Sequence, residues 1–111
     1  MGRAAARLLL NDGAAFDAVI CQNDVLARGC IEELERNGCR VPQDVAVIGH
    51  DNSPDYVSYA HPLLTSIDDN NEMLGRQAAL CLLDAIAGHP HHGVERVPVK
   101  LIQRESTLPL D

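Results

Sequence analysis

The stretch Arg40-Val41-Pro42-Gln43-Asp44-Val45-Ala46-Val47-Ile48-Gly49-His50-Asp51-Asn52 constrains this chain more than any other. Val45 to Ile48 are small or β-branched and show no polar alternation, the pattern of a parallel-sheet strand covered on both faces. Pro42 stands at the entry, where a missing N–H costs nothing. Gly49 lets the backbone leave the sheet, which places Asp51 and Asn52 just beyond the strand's carboxyl end. Open α/β sheets bind ligands at that edge.

The neighbouring segments have the same build. Phe16 to Cys21 reads as a short strand ending in polar Gln22-Asn23-Asp24. Ala27, Cys30, Ile31 and Leu34 then recur at helical spacing, with Glu32, Glu35 and Arg36 outward and Gly38 as terminator. Asn23 is placed to cap this helix, and Asp24 suits its positive end. Strand, helix and strand make a βαβ unit, and its right-handed crossover brings Asn23 and Asp51 to one edge. Before it, Arg3 to Leu10 reads as a helix of about two turns with Ala5, Leu8 and Leu9 on one face. Because this helix lacks a capped beginning, the chain is expected to enter its fold partway through, as a fragment.

Downstream, residues 52–62 read as a loop or broken helical turn between prolines, rich enough in tyrosine to be packed on something. Leu63 to Ile67 reads as a strand. A helix from Asn70 or Asn71 to about Ala87 carries a wide stripe of Leu74, Ala78, Cys81, Leu82, Ala85 and Ile86 that requires cover, and Gly88 and Pro90 end it. Val94 to Arg104 reads as an extended strand.

Composition narrows the function. With 111 residues, 46% of them hydrophobic, the chain supports one core rather than two. Sixteen acidic against nine basic residues, a formal charge of -7, argue against direct contact with nucleic acid. Neither a membrane span nor a signal peptide is legible, so a cytoplasmic location is expected. Cys21, Cys30, Cys39 and Cys81 form no C-x-x-C pair, and a disulfide scaffold or zinc site is not expected. The thiols read as reduced, with Cys30 and Cys81 on core-facing stripes. His89, His91 and His92 around Pro90 read as a solvated loop rather than a metal site. No G-x-S-x-G elbow, phosphate-cradling loop or metal-ligand spacing occurs, so no catalytic residues, cofactor or metal are assigned and the chain is not expected to be an enzyme.

Asp17 to Asp24 with Ala27 and Gly29, then Val41 to Asp51, resemble the effector-binding region of LacI/GalR-family transcription repressors. Pro62 to Ile67, Leu74-Gly75 with Ala78-Ala79 and Leu82-Leu83, and Arg104-Glu105-Ser106-Thr107 agree in order and spacing. The resemblance implies a periplasmic-binding-protein-like α/β fold with helices on both faces of a parallel sheet. Residues 1–111 would be a partial effector-binding domain, mostly second lobe, with 70–104 crossing to an absent first lobe. It further implies a homodimer that meets operator DNA only through an absent N-terminal domain, and no membrane partner. Carried over by position, it makes Asn23, Asp51 and Asp69 ligand-binding residues for a sugar or sugar-like effector, a role suited to carboxylates and an amide facing hydroxyls. Each has a structural rival: helix capping for Asn23, loop capping for Asp51. The sequence departs from the family at His50, usually aromatic, at Pro62-Leu63, usually two prolines, and at Asn71, often aromatic in sugar binders. Two other readings stay open, a transporter's periplasmic sugar-binding protein and a purely structural dimerisation module.

Overall fold

In the computed structural model, which describes residues 1–108, eight elements follow in order: α1 (Gly2–Asn11), β1 (Ala18–Ile20), α2 (Asp24–Arg36), β2 (Ala46–His50), α3 (Pro54–Val57), β3 (Thr65–Asp68), α4 (Asn71–Ile86) and β4 (Lys100–Ile102). The sheet order is β1-β2-β3-β4. The first three strands are parallel, in the register Ala18 with Ala46 and Ile48 with Thr65, while β4 runs antiparallel to β3 with Ser66 opposite Ile102. The βαβ reading therefore holds, with strands shorter than their apolar runs.

The core lies between the sheet and α2. Ala27, Cys30, Ile31 and Leu34 from the helix meet Val45, Val47 and Leu64 from the strands and their flanks, all buried. Burial along β2 alternates instead of being continuous: Val47 and Gly49 are buried, Ala46 and Ile48 half-buried. Ile20 in β1 is exposed.

The face of α1 differs from its expected one. Gly2 and Ala6 are buried and Leu10 half-buried, whereas Leu8 and Leu9 face outward. Close approach of two helices decides this. A Cβ on Gly2 would stand 2.2 Å from the Leu26 carbonyl oxygen, and one on Gly29 would stand 3.1 Å from the Arg3 nitrogen. Small residues win the contact because nothing larger fits there. Arg3 with Glu32, and Arg7 Nε with Glu33 Oε1 at 2.9 Å, then clip the helices together.

Beyond β4 the chain turns back into the lobe. Ser106 is fully buried, accepts from Thr65 N–H at 2.8 Å and donates to the Val47 carbonyl at 2.6 Å. Its own N–H donates to the Leu63 carbonyl. Arg104 donates to the Leu64 carbonyl and to Asn52 Oδ1, both at 2.8 Å. The Arg104 to Thr107 signature is thus a splice across β2 and β3.

α4 is different in kind. None of its residues is buried, and Leu74, Leu80, Leu82, Leu83 and Ile86 are exposed. Cys81 is half-buried rather than in the core. The radius of gyration, 17.9 Å, exceeds the roughly 13 Å of a compact domain near this size, as a projecting helix requires. No described helix is long and apolar enough to cross a membrane.

Candidate functional site

The carboxyl ends of β1, β2 and β3 lie on one edge of the sheet, as parallel pairing demands. At the end of β2, Asp51 and Asn52 take φ values of 96° and 49°, a conformation that Asp and Asn tolerate better than most residues. The turn is pinned: Asp51 N–H donates to the Ile67 carbonyl at 3.0 Å, and Asn52 N–H to Ser66 Oγ at 3.0 Å. Asn52 Nδ2 reaches Asp68 Oδ2 at 3.2 Å. Its backbone thus held from two sides, Asp51 turns its carboxylate outward, with about half the side chain exposed.

His50 joins two of the three expected site residues. Its Nδ1 lies 3.2 Å from Asp51 Oδ1 and its Nε2 3.2 Å from Asp69 Oδ1. Asp51 and Asp69 therefore converge on one imidazole at the mouth of the edge. Among the described residues the Asp51 side chain bonds His50 and caps no backbone N–H, so the loop-cap rival finds no partner. The three side chains could group around a cation.

Asn23 does cap α2, as its sequence position indicates. Oδ1 accepts from Leu26 N–H at 2.9 Å, leaving the amide nitrogen as what it can offer a ligand. Its place after β1 sets it on the same edge, but no contact joins it to the His50 group among the described residues.

Sequence reasoning missed the buried support of this edge. Asp24 is 1% exposed, and it accepts from Ser53 N–H at 2.7 Å and from Ser66 Oγ–H at 2.6 Å. One carboxylate thereby ties the start of α2 to the turn after β2 and to β3. Gly49 exists for this contact, since a Cβ there would fall 2.2 Å from Asp24 Oδ1. Arg28, one turn on, donates to the carbonyls of Tyr56, Val57 and Pro62, and its guanidinium lies 5.3 Å from the Tyr59 ring centre. Burial pulls its pKa below the ordinary arginine value. A signal was present: Asp24, Ala27, Arg28 and Ile31 follow the i, i+3, i+4, i+7 spacing of an inward face.

A groove of about 940 Å³ lies between Val41, Pro42, His61, Pro62 and Glu105. These positions precede β2 and β3 or follow β4, so it opens at the opposite end of the parallel strands. Glu105 accepts from Leu63 N–H at 2.8 Å and faces His61 at 2.6 Å, and these two contacts, the first foremost, hold its pKa below the usual glutamate range. Its polar groups are committed to joining the chain's end to β3.

A half-open α/β lobe with polar groups at the carboxyl edge of parallel strands defines a class, the ligand-binding lobes of two-lobed receptors. Residues 1–107 match the periplasmic binding protein-like domain family. The regulator CelR of Thermobifida fusca is 38% identical over 106 residues, covering 95% of this chain and 31% of the relative. A solved CelR-cellobiose complex superposes with a TM-score of 0.85 at 38% identity, over 95% of this chain and 32% of that one. The lac repressor dimer bound to operator and the anti-inducer ONPF gives 0.90 at 31% identity, over 97% and 37%. The chain belongs to the periplasmic binding protein-like family, and within it to the effector-binding region of LacI/GalR-type transcription regulators. It spans about a third of the length of the curated relatives it matches.

Proposed function

We propose that this chain supplies one lobe of the effector site in a LacI-type repressor, with Asp51, Asp69 and Asn23 hydrogen-bonding a sugar or sugar-like effector. The observation that carries the reading is the convergence of Asp51 and Asp69 on His50 at the carboxyl edge, with the Asp51 side chain capping no backbone N–H among the described residues. A carboxylate accepts from two vicinal hydroxyls, and the Asn23 amide donates to a third oxygen. The work is binding, not catalysis, in a cytoplasmic regulator that reaches operator DNA through a separate domain. The relatives are transcription regulators, and a transporter's binding protein finds no support among them. Residues 70–104 cross toward the first lobe, where the apolar stripe of α4 finds its cover. Two copies pair as a homodimer, in keeping with the lac repressor dimers. Light scattering that gives a monomer at micromolar concentration contradicts the pairing.

The test of the site uses a regulator carrying both lobes and this segment. Calorimetry against cellobiose and a panel of mono- and disaccharides identifies a binding sugar, and Asp51→Ala then weakens it about 10- to 150-fold, as loss of a charged hydrogen bond of about 1.5–3 kcal/mol requires. Operator affinity without effector stays unchanged. An unaltered sugar affinity in Asp51→Ala overturns the assignment. The 111 residues alone bind far more weakly: half of about -8 kcal/mol leaves roughly millimolar affinity.

A further inference from the structure

His50 closes β2, Asp51 follows it in the turn, and Asp69 comes directly after β3, whose Ile67 is the sheet partner of His50. Asp51 Oδ1 and Asp69 Oδ1 each lie 3.2 Å from a nitrogen of the same imidazole. With one donor atom taken from each side chain, all three fall within 4.8 Å of one another. Ligands bound side by side to a divalent ion, at about 2.0–2.2 Å from it, stand about 3–3.5 Å apart. His50 Nε2 and Asp69 Oδ1 already have that spacing, and rotation of the half-exposed Asp51 side chain closes the rest. The backbone beneath is held in place. Asp51 N–H is bonded to the Ile67 carbonyl, Asn52 N–H to Ser66 Oγ, and Asn70 N–H to Asp68 Oδ1 at 2.8 Å, which fixes the turn carrying Asp69. Among the described residues neither the Asp51 nor the Asp69 carboxylate pairs with a lysine or arginine, so two negative charges meet at one imidazole.

We propose that His50, Asp51 and Asp69 bind a divalent transition-metal ion of the manganese(II) or zinc(II) kind at the carboxyl edge of the sheet. A nitrogen donor beside two carboxylates favours such ions over magnesium or calcium, which take oxygen ligands. Two carboxylates and a neutral imidazole balance the charge of the ion, and each supplies a donor it accepts. The imidazole gives it one nitrogen. Because all three ligands come from the sheet side, the remaining coordination positions turn to the open edge, where water or an oxygen of a bound ligand completes the shell. The site goes beyond the effector reading although it shares Asp51 and Asp69 with it. It is tested with metal alone, so failure of either leaves the other standing.

Manganese(II) is the probe, because the four cysteines, as soft ligands, compete poorly for it. The 111-residue chain, stripped with EDTA and dialysed, is titrated with manganese chloride, and the free ion is followed by its electron paramagnetic resonance signal. One ion per chain should bind saturably. In proton NMR spectra with assigned imidazole signals, His50 should broaden first among the five histidines. His50→Ala and Asp69→Asn should each weaken binding at least tenfold, with circular dichroism confirming that the fold persists. If either variant fails to fold, the broadening map of the wild-type chain decides alone. The rival is the loop after α4, where His91 Nε2 lies 2.7 Å from Glu95 Oε1, and His91→Ala should leave the affinity unchanged. No saturable binding at millimolar manganese overturns the proposal. So does first broadening at His89, His91 or His92, or an affinity that survives both His50→Ala and Asp69→Asn. Weak broadening shared equally by all five histidines means an adventitious ion only, and overturns it too.

Discussion

α2 and α4 are the two long helices, each carrying an apolar stripe at helical spacing, and they end in opposite situations. In α2, Ala27, Cys30, Ile31 and Leu34 are at most 3% exposed; in α4, Leu74, Leu82 and Ile86 are 49%, 62% and 74% exposed. The difference lies in what the rest of the chain supplies. α2 stands between two paired strands, so its stripe meets the sheet. α4 stands between β3 and an antiparallel β4 across a long return, and the sheet offers it no face. A periodic stripe therefore says that a helix needs cover without saying that this chain holds it.

Substitutions at matched positions break or sharpen that contrast. Leu34→Ala should cost about 2–5 kcal/mol by urea denaturation, the ordinary price of emptying a fully packed core site. Leu82→Ala should cost under about 0.5 kcal/mol in the chain alone, since the side chain is 62% exposed. Equal losses would erase the distinction between the helices.

Next in size comes the buried support of the carboxyl edge. Asp24→Ala strands Ser53 N–H and the Ser66 hydroxyl, each worth about 1–3 kcal/mol when left unsatisfied in the interior. Gly49→Ala should reproduce much of that loss by driving its methyl into the carboxylate. Asn23→Ala should cost only about 1 kcal/mol, the usual value of a helix cap, because its partner Leu26 N–H lies nearer solvent. A denaturation series ordering the three otherwise would show that the edge is held by something else.

The smallest expected effect is a pH dependence. Asp44 accepts from Arg40 Nε at 2.8 Å, Nη2 at 2.6 Å and the Arg40 N–H at 2.7 Å, and these bonds hold its pKa at about 2. A carboxylate with a depressed folded pKa adds stability above its unfolded value near 3.8, and that stability disappears as pH falls through about 2. Asp44→Asn should lower stability slightly at neutral pH and leave it unchanged below about pH 2, flattening this part of the acid-denaturation curve by a small amount because the pair is exposed.

Much of this architecture was legible in the sequence, and the limits have physical causes. The order of helices and strands followed from apolar period and from glycine and proline punctuation, and Asn23 was readable as a cap from its place before a periodic segment. Strand lengths were overread: residues 16, 17, 21, 63 and 64 lie outside the strands, although Asp17 and Cys21 still exchange backbone hydrogen bonds with Ala46 and Ile48, and only Lys100 to Ile102 of the long run at 94–104 pairs. The face of α1 was misjudged because a backbone-close helix contact favours Gly2 and Ala6 over larger leucines, and hydrophobicity alone favours the leucines. Asp51 and Asp69 were assigned to a ligand site by position in a family pattern. Their meeting at His50 was not, since it depends on two left-handed residues in succession. Asp24 was read only as favourable at the positive end of a helix, and Arg28 and Ser66 escaped notice, because polar residues on an inward face look like surface until their partners, distant in sequence, are known.

Amide hydrogen exchange resolved by helix tests the contrast most directly. A helix of this length without tertiary contacts is marginal in water. In the 111-residue chain at low concentration, the amides of α4 should exchange close to the unprotected rate while those of α2 and β2 exchange only on global unfolding. Protection of α4 should rise with protein concentration as a second copy covers the stripe, or when a first lobe is present. α4 amides as slow as those of α2 at every concentration would contradict the account, because the helix would then have a partner within the chain itself.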